Sequence, residues 1–492
     1  MVGLDNYSEG FAADDMGGAP NELIKAMQAG QITGRDTTGL GLTQEPLKIE
    51  SLETALKVLD YRTQDIKLFN ALPKLTAYNT VEEYLQLSSY GSERGGFYDE
   101  GELSDVEDST YIRRAEHVKY MQVTGEVTLQ AQMVRSYVDA MRQEQQNKMM
   151  WLMRIANRAL VNADSDVVPQ EFNSLYKQHQ SVGSGTGYLY ADNAAYYDSG
   201  TVLDLRGASI KQEDIEAAAV LVDLNYGSAT DLFGPTTVIS TLSQDFYNRQ
   251  RFFMTGDASP VQGNLGITPQ SIATTLGNIK LNSDKFMKAG EARTNASNAT
   301  SSAAPAAPTI SAAAVVAAQA KSKYVAGDAG NVYYAVAAIN KKGESVLTIH
   351  PTALTLAASA VVDLTVTAGA GANPTQGYVV YRTKVTTAGS ATGLPFYPIF
   401  KVSASAVTAG YDGGAAGKIR DTGLFLPDTE QAFVAQMTED VMSFKQLAPM
   451  SKLDLAVLSM SRRFITFMFG TPILYQPKKM VRIINCGRAL TA

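Results

Sequence analysis

The feature that most constrains this chain is a break in its composition. Residues 293–308, RTNASNATSSAAPAAP, form a low-complexity run of small residues. Beyond it, only 13 of the 118 residues from 303 to 420 are charged, and alanine, valine, threonine and glycine dominate. Runs that alternate at period two recur there as NVYYAVAAI, ALTLAAS, VVDLTVTAG, GYVVYRT and YPIFKVSAS, separated by turn residues such as NKKGE. That pattern predicts an all-β sandwich of roughly immunoglobulin size. Residues 430–492 then return to the style of residues 165–290. The sandwich is therefore an insertion into a body whose two parts lie on either side of it, with a linker and insert over 293–429. At 492 residues the chain is also longer than one core normally supports.

The body has its own order. Residues 1–52 are polar and weakly periodic and predict an extended arm with one short helical piece around Leu23–Met27, followed by a short helix over 51–59 that opens the next part, 53–90. Residues 91–131 begin rich in glycine and acid and then alternate at period two, which predicts a two-stranded excursion with a polar tip. A lone hairpin is marginal in water, so it needs a surface to lie on. Residues 132–164 lack glycine and proline, and their apolar positions follow helical spacing, which predicts one long amphipathic helix. From 165 to 292, helices and strands alternate. There IKQEDIEAAAVLVDLNYG predicts a helix closed by Gly227, and DLFGPTTVISTLSQDF predicts a strand followed by a helix from near Ser243.

Little in the sequence points to chemistry. Cys486 is the sole cysteine and the three histidines lie far apart, so neither a disulfide nor a histidine-based metal site is expected. A net charge of −7 disfavours a dedicated nucleic-acid binder. No run of 18 apolar residues occurs, and the first residues lack a basic segment followed by an apolar one, so neither a membrane helix nor a secretory signal is expected. GSGTG at 183–187 lacks the strand, helix and acid of a dinucleotide site and reads as a loop. Motifs of nucleotide, zinc-protease and serine-hydrolase chemistry are missing from the sequence. No catalytic, cofactor-binding or metal-binding residue is assigned, no cofactor is expected, and the chain is not expected to be an enzyme.

Charge is distributed unevenly. Glu93, Asp99, Glu100, Glu102, Asp105, Glu107 and Asp108 crowd the excursion, opposed by Arg94 alone. After Asp454 no acid follows, while Arg462, Arg463, Lys478, Lys479, Arg482 and Arg488 do. A strand with one solvated basic face explains the bases equally well. The alternative is complementarity between the acidic tip of one copy and the basic segment of another, an inter-subunit interface.

The order of arm, acidic excursion, long helix, mixed α/β body and closing strands resembles major capsid proteins of tailed bacteriophages with the Hong Kong 97-like fold. SQDFYNRQRFF, GITPQSIATTLGNIKLNSDKFM and LAPMSKLDLAVLSMSRRFITFMFGTPILYQPKKMVRIINCG resemble segments of that family's body. The resemblance covers about 1–292 and 430–492. It implies an α+β fold with an N-arm, an E-loop, a spine helix, and peripheral and axial domains, here carrying an immunoglobulin-like or fibronectin-like insertion. It also implies self-assembly into hexamers and pentamers of an icosahedral head enclosing phage DNA, touched only weakly. The virion is the expected location, with assembly in the host cytoplasm. A separate scaffolding protein, a portal and decoration proteins are the implied partners. Lys119 is the only lysine on the excursion, so the covalent cross-linking of some relatives is not expected. A tail or decoration protein with a similar sandwich, or an enzyme carrying one, are the rival readings.

Overall fold

A computed structural model of the protein describes residues 61–91, 97–103, 106–133, 139–180, 201–247 and 270–487, apart from 289, 295, 318, 320, 412–413 and 458–459. The expected arm, the helix at 51–59 and the GSGTG loop lie outside the described residues.

The long helix runs Ala140–Asn162. Asp139 caps it by accepting from the Met141 amide, 2.9 Å away. Its inward stripe, Leu152, Ala156 and Leu160, is buried with Phe69, Phe172, Phe433 and Phe444 in the largest apolar cluster of the body. One polar residue on that stripe, Asn157, is fully buried and works as a connector. It donates to Asp284 Oδ2 at 2.8 Å and accepts from the Phe69 amide at 2.8 Å. Asp284 in turn accepts from the Leu68 amide at 2.9 Å and the Phe286 amide at 2.8 Å. A single buried carboxylate thus ties the short helix Leu68–Ala71, the long helix and the end of the strand Gly277–Ser283.

Two sheets make up the rest of the body. A six-stranded sheet runs Val202–Asp204, Met480–Gly487, Thr429–Ala435, Asp231–Gly234, Gly277–Ser283 and Ser271–Thr274. The helix Gln212–Leu224 packs Ile215, Ala218, Ala219 and Val222 into the same apolar cluster as Ile272, Ile279 and Ile483 of this sheet. The Gly227 amide closes the last turn of this helix onto the Val222 carbonyl, with Tyr226 before it in the left-handed backbone (φ 60°). The sequence reading needs one correction here. The next helix begins at Thr236, not near Ser243, and the strand before it is only Asp231–Gly234. Pro235 explains this: it cannot continue a strand ladder, and its fixed φ suits the start of a helix.

The second body sheet runs Lys74–Thr76, Met442–Asp454, Ser461–Leu474 and Lys119–Thr128. Lys119–Thr128 was expected to belong to the excursion, but ten of its residues pair with the closing strand from Ser461 to Gly470. The excursion itself is the hairpin of Val81–Ser89 with Thr110–His117, so it starts ten residues before the expected 91.

In the inserted segment, the strands Gly330–Val332, Tyr334–Asn340, Val361–Thr367, Gly377–Arg382 and Tyr397–Ser403 fall on the alternating runs. Thr309–Val316 and Lys418–Asp421 flank Val361–Thr367 in a three-stranded sheet. That sheet and the sheet centred on Tyr334–Asn340 and Gly377–Arg382 enclose an apolar core of Val336, Val362, Leu364, Val380 and Ile419. Within it lies a fully buried ion pair, Arg382 to Asp421 at 2.8 Å, whose carboxylate also accepts from the Tyr324 and Tyr334 hydroxyls at 2.8 and 2.7 Å. The small-residue stretch at 293–308 packs on this segment: Arg293 and Phe396 exchange backbone bonds, and Arg293 reaches Glu344 at 3.2 Å.

This segment is clamped to the rest of the chain. Alternate residues of Tyr334–Asn340 point away from the sandwich core, and Val167 and Val168, just past the long helix, are buried among Ala335, Ala337, Val379 and Phe396 on that outer face. On another side Arg206 donates to the carbonyls of Gly423 and Lys323 and pairs with Asp328.

Candidate assembly surfaces

The hairpin distributes its residues in reverse of an ordinary surface ribbon. From Glu82 to Leu87 and from Tyr111 to His117 exposure alternates residue by residue. The half-buried face is polar: Glu82, Tyr84 and Gln86 stand opposite Glu116, Arg114 and Ile112. That face rests on the chain's own body, where Gln86 donates to the Tyr475 carbonyl and the Tyr84 ring meets the Tyr475 ring edge-on, with centroids 5.2 Å apart. Burial pushes the Tyr84 phenol up to about 12, so it stays neutral.

The other face carries Leu85, Leu87 and Tyr111 beside the Glu83–Arg113 ion pair. Leu85 is 72% exposed and Tyr111 66%, with Leu87 beside Tyr111 across the ladder. Toward the tip the exposure grows: Phe97 is 99%, Leu103 91% and Val106 93% exposed. Single exposed apolar residues are ordinary, but several on one short hairpin and its loop make it a candidate contact surface.

The acids expected at the interface sit on the same loop. Asp99, Glu100, Glu102, Glu107 and Asp108 are exposed there, while Glu93 and Asp105 fall outside the described residues. The bases divide. Arg462 and Lys478 are exposed and Lys479 is half-buried. Arg463 pairs at 3.1 Å with Glu126 of the neighbouring strand in the same chain. Arg482 is removed from the candidate interface altogether: it is 3% exposed, stacks over Tyr176 at 4.2 Å and donates to Gln431. Its strand lies inside the six-stranded sheet and is buried on both faces, so alternation gives it no solvated side.

Among the described residues, no group of three or more His, Cys, Asp or Glu could hold a metal, and no helix is long and apolar enough to cross a membrane. Cys486 is buried, and desolvation pushes its thiol up to about 12. The polar residues that the sequence did not single out, Asn157, Asp284 and the Arg382–Asp421 pair, are structural ties without access to solvent.

No family model matches the chain. Two kinds of relative were found. The major capsid proteins of Staphylococcus phages K and S25-3 are each 23% identical over 473 residues, 94% of this chain and 94% of theirs. A protein of Enterococcus phage phiEF24C, named for the same role, is 26% identical over 474 residues, 91% of this chain and 93% of its own. Among solved structures, a chain from Mycobacterium phage Bobi overlaps with a TM-score of 0.42 at 6% identity, covering 89% of this chain and 95% of that one. The encapsulin SrpI of Synechococcus elongatus overlaps at 0.38 and 7%, covering 89% and 94%. The class that the sequence relatives define is that of a structural capsid subunit. Over nearly its whole length the chain is similar to phage major capsid proteins.

Proposed function

We propose that this capsid subunit closes its shell chiefly through the hairpin, laid with its apolar face on an adjacent copy, and that the subunit does no catalysis. The observation that carries the reading is the ribbon's two faces: one is held at home by Tyr475 and Asn173, and on the other Leu85, Leu87 and Tyr111 stand exposed among the described residues. Repetition in a closed array gives that face a partner, since one surface meets its complement on every copy. Hexamers and pentamers of an icosahedral head, assembly in the host cytoplasm, a separate scaffolding protein, a portal and decoration proteins complete the proposal. The insert, 303–428, is proposed as an immunoglobulin-like domain added to the shell, and the arm over residues 1–50 as a strap reaching adjacent subunits.

The acidic tip adds attraction to Arg462, Lys478 and Lys479 of another copy. Each exposed pair contributes only about 0–1 kcal/mol, but a shell repeats it many times. Reversing Glu100, Glu102 and Glu107 to lysine is expected to raise the concentration needed for assembly, read by sedimentation. Adding R462E, K478E and K479E to the same chain is expected to recover part of the loss. Assembly unchanged by the first set, or no recovery with the second, removes the electrostatic part of the proposal while leaving the apolar part standing. A chain that sediments as a monomer at every concentration, alone and with its phage's other head proteins, overturns the whole reading.

A further inference from the structure

The second body sheet carries the long helix on one face. Leu152, Ala156 and Leu160 of that helix share an apolar cluster with Phe444 and Met468, and Met121 and Val123 pack against it from the sheet. Alternate residues of the same strands point the other way, and the pairing brings them together. Phe469 stands opposite Tyr120, Phe467 opposite Gln122, and Ile465 opposite Thr124 on one side and Leu453 on the other. The Tyr120 ring meets Phe469 edge-on with centroids 4.8 Å apart, and Phe467 lies 5.1 Å from Phe469. Tyr120 and Leu453 are each 57% exposed, while Ile465, Phe467 and Phe469 are half-buried. An antiparallel sheet packed on one side ordinarily turns a polar face to water. This face is aromatic instead, and its first charges are the Glu126–Arg463 pair at one end.

We propose that this aromatic face is the surface on a second copy that receives the hairpin's Leu85, Leu87 and Tyr111. The inference rests on reading the hairpin as a contact between copies and names the surface it meets. A single chain cannot make that contact with itself. Tyr111 and Tyr120 lie nine positions apart on strands joined by Val118 alone, about 30 Å at 3.4 Å per residue. Tyr84 and Gln86 hold the hairpin's other face on Tyr475, so the ribbon cannot fold back over the sheet. A second copy can bring the two faces together, as a two-stranded ribbon laid across a sheet.

The charges beside the two surfaces fit one orientation. On the hairpin, Asp108 precedes Tyr111 by three residues. On the sheet, Arg462 precedes Ile465 by three. Each interval is about 10 Å of extended chain, and both charged residues are exposed. With Tyr111 over Ile465 and the ribbon's tip toward Ser461, Asp108 comes to Arg462 and Leu85 comes toward Phe467 and Phe469.

A photo-cross-link maps the acceptor. The full chain with Tyr111→p-benzoylphenylalanine is assembled with its phage's other head proteins and irradiated, and linked dimers are digested and read by mass spectrometry. Links are expected in Lys119–Thr128, Met442–Asp454 and Ser461–Leu474 of the second copy. Dimers linked elsewhere overturn this acceptor and leave the hairpin's contact with another copy standing. Shells without linked dimers overturn both. The variant Y120D/L453D gives an independent reading, with circular dichroism to check its fold. Covering two half-exposed side chains amounts to burying about one leucine, so the concentration needed for shells is expected to rise by at least about tenfold in sedimentation. A folded Y120D/L453D chain that assembles as the native chain does overturns the assignment. If that variant does not fold, the cross-link map alone decides.

Discussion

L85D/Y111D is expected to abolish shell formation at concentrations where the native chain assembles, while leaving the subunit folded. Both side chains are exposed in the subunit, so their loss removes no intramolecular packing. A surface substitution of that kind usually changes stability by about 0.5 kcal/mol or less. At an interface the same side chains are covered. Burying a leucine-sized side chain contributes about 1.5–3 kcal/mol, and two of them correspond to a factor of at least about 100 in association. The new carboxylates add a desolvation cost in the same direction. Circular dichroism and thermal melting check the fold, and sedimentation checks assembly. Normal shells from this variant would mean that the outward face stays in water, and the hairpin would lose its role.

R382L is expected to produce the largest loss of stability among single changes in the insert. Arg382 and Asp421 are each about 2% exposed, so the substitution strands a carboxylate in an apolar core. Breaking a buried pair from one side costs about 3–5 kcal/mol. The tyrosines that remain, Tyr324 and Tyr334, offset part of that by donating to the same carboxylate. The double variant R382L/D421L is expected to recover most of the loss, because two apolar residues leave no charge behind. Urea titration of the full chain followed by circular dichroism separates these outcomes. A loss below about 1 kcal/mol for R382L would show that the ion pair contributes little to the fold.

Much of the architecture was legible in the chain, for reasons that can be stated residue by residue. Tyr334–Asn340 and Gly377–Arg382 stood out because β-branched and aromatic residues alternate with small ones between turn formers. Thr309–Val316 did not, because its centre is Ala312–Ala314 and alanine carries little strand signal. The helix Thr236–Tyr247 was taken in part for a strand because Val238 and Ile239 favour strands, whereas Pro235 and packing against the six-stranded sheet decide otherwise.

The candidate interface was legible only by half. Clustering of acids at the tip was visible directly, but the apolar face was not. Leu85 and Leu87 in VEEYLQLSS look like core residues until the pairing shows which way they point. Arg482 misled in the opposite sense, since a base in a short strand suggests a wet face, and only the strand's central place in its sheet buries it. Asn157 and Asp284 gave no signal at all, being 127 residues apart in sequence and joined only by the fold.

A cryo-electron microscopy map of the assembled particle tests the central claim most directly. The account predicts a closed shell in which Leu85, Leu87 and Tyr111 of each copy are buried against the body of a neighbouring copy, with the hairpin's foot on Tyr475 and Asn173 of its own chain. A shell in which that face meets solvent, or a chain that forms no shell with its phage's other head proteins present, would contradict it.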